Sequence, residues 1–350
     1  MTLLVRLAAI LGFAGAAFLA LSAYESHFLG LFPLGEVPPK ADAYHLARSA
    51  AALAVSFLIV ATIYLGRAPN CPLDREDMAP QGTTAAAAIL ALAVACTLLF
   101  ALDPARFGIG AQEDSAIEWL SALLLLGGSA LFAGMFLQRR HEGTGALPAL
   151  LLALVFFAIG MEEISWFQRV LGFETPPELA RANMQQEFNL HNLHTDLFEN
   201  LYYLGAAFAL ILLPFLRDAL PAARGVWAAI LDYAPARWVV AVAAPLSIFN
   251  YGLWNVIPMQ VTMMLTVLVA ACYARAAGRR GTRAEAALFA ALAVVIAGGQ
   301  AAFLAGGHLM PNIWDASEYK ELFIAIGLAA WAVDVAWLRS APLPGRGCAP

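Results

Sequence analysis

Charge is scarce in this sequence. Only 13% of its 350 residues are Asp, Glu, Lys or Arg, while 61% are hydrophobic. About a quarter of the residues of an ordinary soluble domain are charged, so a fully water-facing surface is excluded for a chain of this length. Cysteine is sparse as well. Cys71, Cys96, Cys272 and Cys348 are scattered without a C-x-x-C spacing, which argues against a disulfide framework and against a thiolate metal site. No block of basic residues is present, so no nucleic-acid partner is expected. The first apolar run lacks a small-residue cleavage pattern and is too long for a signal peptide; it reads as a retained anchor with Arg6 near its start.

What is abundant is apolar run after apolar run. A spanning helix needs about 20 mostly apolar residues to cross roughly 30 Å of hydrocarbon. Ten such runs are legible: 3–23, 46–66, 83–102, 116–137, 146–165, 197–216, 238–255, 258–275, 284–305 and 321–338. The seventh and eighth are interrupted by Asn250, Asn255 and Pro258 and read as a tight hairpin, with Pro258 opening the return helix where a missing N–H is tolerated. The expected fold is all-α: one polytopic transmembrane bundle of about ten spans over residues 1–340, then a disordered cytoplasmic tail over 341–350.

Loop charge sets the expected orientation. With the N-terminus inside, fourteen of the twenty Lys and Arg residues fall on the cytoplasmic side and six on the other. Both termini are then cytoplasmic. The expected setting is a bacterial inner membrane with a periplasmic functional face and lipids as surroundings.

On that map the remaining polar residues gather outside. His27, His45, His191, His194 and His308 fall there, as do seventeen of the twenty-five carboxylates and the amides Asn250, Asn255, Gln260 and Gln300. Longer outer loops explain part of this bias, but not the amides within helices. Three outer helix entries also resemble one another: E-D-S-A-I-E-W-L at 113–120, H-T-D-L-F-E-N-L at 194–201 and A-S-E-Y-K-E-L-F at 316–323. Their shared Glu118, Glu199 and Glu321 read first as caps, because a carboxylate in a first turn complements the helix dipole. Trp119, Trp166, Phe167, Tyr202, Tyr203 and Trp254 read as an outer aromatic belt.

Residues 160–200 hold the densest chemistry. Glu187, His191 and His194 stand at i, i+4 and i+7, one stripe on a helix. Carboxylate and imidazole are a ligand set for a divalent metal, zinc or iron. A metal needs a further ligand from another helix, for which Glu162, Glu163 and His308 are the candidates, His308 being included in the expected metal set. The adjacent Glu162 and Glu163 are candidates for general acid and base, because neighbouring carboxylates in a low dielectric resist joint ionisation. Arg169 is the candidate for meeting a phosphate or carboxylate. Asn192, Asp196, Asn255 and Gln300 are candidate substrate-binding groups. The bland alternative is an interface anchor: two histidines among headgroups and a carboxylate pair neutralised by a neighbouring cation.

The strings E-E-I-S-W-F-Q-R (162–169), G-F-E-T-P (172–176) and N-M-Q-Q-E-F-N-L-H-N (183–192) resemble the signature of a group of bacterial multi-pass membrane proteins. The resemblance covers roughly residues 158–200. It implies that Glu162, Glu163, Trp166, Gln168, Arg169, Asn183, Gln185, Glu187, Asn189, His191 and Asn192 belong together, and it implies no reaction. A zinc site of the integral-membrane ceramidase-like kind is a poorer comparison, since this chain has H-x-x-H rather than H-x-x-x-H. Three functions fit these residues: a metal-dependent enzyme acting on a lipid or lipid-linked substrate, a transporter or flippase, and an accessory subunit docking on a membrane protein partner.

Overall fold

The computed structural model describes residues 3–31, 33–112, 115–182, 188–189, 193–220 and 230–339. The described residues are helical, with no strand. Ten principal helices follow in order. These are α1 (Leu3–Tyr24), α2 (Ala43–Leu65), α3 (Pro80–Leu102), α4 (Ala116–Arg139), α5 (Leu147–Glu163), α6 (Thr195–Ala219), α7 (Arg237–Ile248), α8 (Ile257–Arg280), α9 (Arg283–Gly306) and α10 (Asp315–Leu338). Among the described residues eight helices are long and apolar enough to cross a membrane. The count is nine if α5 and the bent segment Ser165–Leu171 form one span.

Apolar side chains cover these helices all round, which suits contact with lipid outside and protein inside. Phe13, Leu19, Leu65, Leu102 and Val294 are exposed on the outside of the bundle. Inside, α4 packs along α5 and α10, and α8 packs along α9 and α2. An aromatic column ties α3, α7, α9 and α10 together. Phe100 stacks on Phe303 at 4.2 Å, Phe107 on Tyr319 at 4.0 Å and Phe249 on Phe323 at 5.2 Å between ring centroids.

Helix α7 is the exception to span length. It covers 12 residues, ends at Pro245 and the following turn, and gives way to non-helical backbone before α8. Backbone that leaves a helix inside an apolar bundle needs protein partners for its free N–H and C=O groups. That is met here. Residues 249–253 and 255–256 are buried apart from a half-buried position at Trp254 in between. Their polar groups have destinations: Gly252 O accepts from Val37 N at 2.9 Å and Asn255 O from Arg48 Nη2 at 2.6 Å. The Asn255 side chain donates to Pro38 O at 3.0 Å and accepts from Lys40 N at 3.4 Å. Asn255 therefore fastens the 36–40 loop to the segment after α7; the sequence placed it among substrate ligands.

The opposite end of the bundle is closed by a buried charge network. Arg237 reaches Asp218 at 3.1 Å, Glu285 at 3.0 Å and the carbonyls of Glu76 and Pro72 at 2.5 and 2.9 Å. Arg280 adds a 2.7 Å pair with Glu285, and Arg217 one of 2.7 Å with Asp218. Asp218 and Glu285 have only 1% of their surface exposed, and a buried carboxylate needs such pairing to stay charged. Among the described residues Cys71, Cys96 and Cys272 are free thiols.

Candidate functional site

The site is assembled from helix ends that meet at one end of the bundle. Its centre is Lys320, on the second turn of α10 and only 1% exposed. The ammonium donates to the side-chain oxygen of Asn250, which stands just past the end of α7. It also lies 3.7 Å from Met259 Sδ and 4.7 Å from the centroid of the Tyr203 ring. A desolvated cation over an aromatic face gains roughly 2 kcal/mol. Tyr203 is itself held by donating to Glu321 Oε1 at 2.6 Å, so this buried residue belongs to the site rather than to an aromatic belt.

Carboxylates from several elements surround that lysine. Glu36, Glu199 and Glu321 are within electrostatic reach of it. Glu163 at the end of α5 faces Glu321 and Glu118. Glu318, two residues before Lys320, faces Glu321, Glu163, Glu118 and Glu199. All six are half-buried rather than sealed. Glu163, Glu199 and Glu318 make no hydrogen bond or ion pair among the described residues, whereas Glu36 accepts from Ser317 Oγ at 2.8 Å. Glu36 lies on the loop before α2, and burial is the main reason that its carboxyl is pushed up to about 7. Repulsion from Glu321 adds to the rise, and the Ser317 hydroxyl opposes it.

The capping reading holds for Glu118, which is in the first turn of α4. It does not hold for the other two. Helix α6 starts at Thr195 and α10 at Asp315, so their first-turn acids are Asp196, Asp315 and Glu318, and Glu199 and Glu321 stand deeper. The apolar runs placed both helix starts too late, because a window for lipid-soluble residues stops at the first charge.

The segment after α5 folds back through an uncommon turn. Ser165, Trp166 and Phe167 have φ of 45°, 53° and 61°, three successive non-glycine residues in the left-handed region. Each costs of order 1–3 kcal/mol and persists only when its surroundings over-determine it. Those surroundings are visible. Trp166 Nε1 donates to Glu162 Oε1 at 2.7 Å, and Trp166 and Phe167 pack against Ala122, Met161 and Ile164. Gln168 Oε1 accepts from Phe188 N at 2.5 Å, while Gln168 Nε2 donates to Thr175 Oγ1 at 2.5 Å. Asn189 Nδ2 donates to Ser165 Oγ at 3.3 Å. The two halves of the signature are thus tied together beside Glu163. Glu162 is turned to Trp166 and Glu163 to the other carboxylates, so the adjacent acids face different partners. Arg169 is exposed on the turn Gln168–Leu171.

Of the other candidates, Glu187, His191 and Asn192 lie outside the described residues. His194 is exposed and sits at the N-cap of α6 with a non-helical φ of −143°. Phe188 and Asn189 are not helical. His194 thus lies ahead of α6 rather than within it, and the stripe expected for Glu187, His191 and His194 falls mainly on residues outside those described. His308 is exposed on the short turn Gly307–Leu309. Among the described residues no three His, Cys, Asp or Glu side chains converge as a metal ion would require. Asp196 accepts from the Glu36 backbone N–H. Gln300 is 1% exposed within α9, and among the described residues neither its amide nitrogen nor its amide oxygen has a partner.

Sequence reasoning missed Lys320 as the centre and Glu36 and Glu318 as members. A usable signal was present, since a lysine one residue before an apolar run is costly in lipid and marks a functional position. No protein-family model matches the chain, and comparisons with the curated proteins and with the solved structures find no match.

Proposed function

We propose that the chain is a ten-span protein of a bacterial inner membrane with both ends in the cytoplasm, and that its outer carboxylate site is the substrate chamber of a carrier or flippase. The two spans beyond the eight long helices are α5 with its bent extension and the short α7 with the buried backbone after it. Loop charge supports the orientation, because the Arg-rich end carries Arg67, Arg217, Arg237, Arg280 and Arg339.

The observation that carries the transport reading is the broken span. Helix α7 stops inside the bundle, and the first residues of its non-helical continuation place Asn250 on the buried Lys320. Discontinuous helices beside membrane-embedded ionisable groups characterise translocation sites. Here the break, the lysine and the unpaired carboxylates coincide. Reconstituted vesicles are the test: substrate accumulation or lipid flip that is lost in Lys320→Met and Glu318→Gln supports the carrier. Wild-type levels in both variants defeat it.

One observation favours an enzyme instead. The signature segment is pinned by Gln168 and Asn189 against the end of α5, beside Glu163, with Arg169 exposed nearby. In that reading Glu163 exchanges a proton with a lipid or lipid-linked substrate, Arg169 meets its phosphate, and Glu187, His191, His194 and His308 hold zinc or iron. Metal analysis of the purified protein, with His191→Ala and His194→Ala assayed for turnover, decides this reading.

A further inference from the structure

Resting on the reading of the outer site as a substrate chamber, we propose that its ligand is a primary or secondary ammonium group, carried by a free amine or by an amine-bearing phospholipid headgroup.

Three acids of the site have no partner among the described residues. Glu163, Glu199 and Glu318 come from α5, α6 and α10, and all three are half-buried with neither hydrogen bond nor ion pair among the described residues. A carboxylate held away from water keeps its charge only beside positive charge, so a cationic ligand would complete these acids. Lys320 is the cation there, and its ammonium is already bound to Asn250, Met259 and the Tyr203 ring. The protein's own side chain therefore shows the chemistry of the walls: an amide oxygen, an aromatic face and nearby carboxylates are how an ammonium is held.

A second observation is independent of the acids. The Tyr202 hydroxyl is fully enclosed and has no hydrogen-bond partner among the described residues, yet it lies within electrostatic reach of Glu163 and Glu321. The Ser121 hydroxyl, on a residue 1% exposed and one turn inward of Glu118, is likewise without a partner. An unsatisfied buried hydroxyl costs about as much as a lost hydrogen bond, so both are explained if a ligand completes them.

The spacing selects among cations. An inorganic divalent ion needs several oxygens converging on one point, and no three of the described carboxylates converge in that way. An ammonium has N–H donors that diverge, and a polyamine has several such groups in series. Both match separated acceptors.

The test uses the full-length protein in mild detergent, with spermidine and ethanolamine as free amines. Phosphatidylethanolamine in mixed micelles is the lipid amine, and phosphatidylcholine and phosphatidylglycerol are the controls. Saturable binding of one amine class is expected, with affinity at least tenfold weaker in Glu163→Gln, Glu199→Gln or Glu318→Gln. Binding by spermidine alone identifies a free amine; binding by phosphatidylethanolamine alone identifies the headgroup. The wild-type series needs no variant to fold. The proposal is overturned if neither amine binds, if phosphatidylcholine binds as well as phosphatidylethanolamine, or if zinc or calcium binds and amines do not compete. Amine binding without transport in vesicles removes the carrier and leaves this inference standing. Transport of a non-amine substrate unaffected by spermidine does the reverse.

Discussion

Lys320 gives its ammonium to the side-chain oxygen of Asn250, so a cation buried in one helix is held by the residue just beyond the end of another. This places a charge and a chain break at the same point inside an apolar bundle. Each feature is costly alone. Together they offset one another, because the break frees an amide that a continuous helix would have turned elsewhere.

The pair is expected to act as a unit. Asn250→Leu leaves a buried ammonium without its amide acceptor and should cost about 2 kcal/mol, within the range for a hydrogen bond to a charged group. Once Lys320 is changed to Met, the same asparagine substitution should cost far less. Thermal or denaturant unfolding of both singles and the double gives the coupling. Additivity within about 0.5 kcal/mol would show that the two residues do not interact in this way.

Arg237 at the other end supports a second expectation. It pairs with Asp218 and Glu285 and also holds the carbonyls of Pro72 and Glu76. Arg237→Met strips one partner from two buried acids, a change that typically costs about 3–5 kcal/mol, although Arg217 and Arg280 keep part of the pairing. The 67–79 loop should loosen. Trypsin should then cut at the exposed Arg75 in inside-out vesicles and spare it in right-side-out ones. Cleavage confined to right-side-out vesicles would reverse the proposed orientation.

How much of this was legible in the sequence follows from what hydropathy measures. The helical class, the repeated spans and the interruption near Asn250 and Pro258 are direct consequences of apolar runs and their breaks. The membership of the site is not. A run read at 321–338 leaves Lys320 in a loop, but α10 begins at Asp315, which puts the lysine inside. Lys320 is held there by Asn250, Met259 and Tyr203 from other elements, and no periodicity in one helix reports such partners. Of the expected Glu187, His191 and His194 stripe, only His194 is among the described residues. Spacing in sequence defines a face only while the helix continues, and His194 lies before α6 starts.

Gln168 holds the signature segment together from both ends of its amide. Gln168→Leu removes the acceptor for Phe188 N and the donor to Thr175 Oγ1. The Phe188 amide should then exchange faster in hydrogen-exchange measurements, by about tenfold for a loss near 1.4 kcal/mol. Gln168→Glu retains the acceptor and should preserve most of that protection. Equal exchange in all three proteins would remove this residue from the fastening of the segment.

The pH dependence of stability should carry the mark of Glu36. Burial, aided by Glu321 and opposed by the Ser317 hydroxyl, raises its carboxyl from 4.5 to about 7 in the folded protein. A raised acid favours folding while it is protonated in both states, below about 4.5. That contribution is lost progressively as the pH rises toward about 7, where the unfolded chain has released the proton and the folded chain is releasing it; above that the loss is complete. Melting temperature should therefore fall between these limits more steeply in the wild type than in Glu36→Gln, which keeps an acceptor for Ser317 and has no proton to lose. The variant should also be the more stable protein at pH 8. Parallel melting curves for the two proteins from pH 4.5 to 8 would show that Glu36 stays charged, and would place it outside the enclosed part of the site.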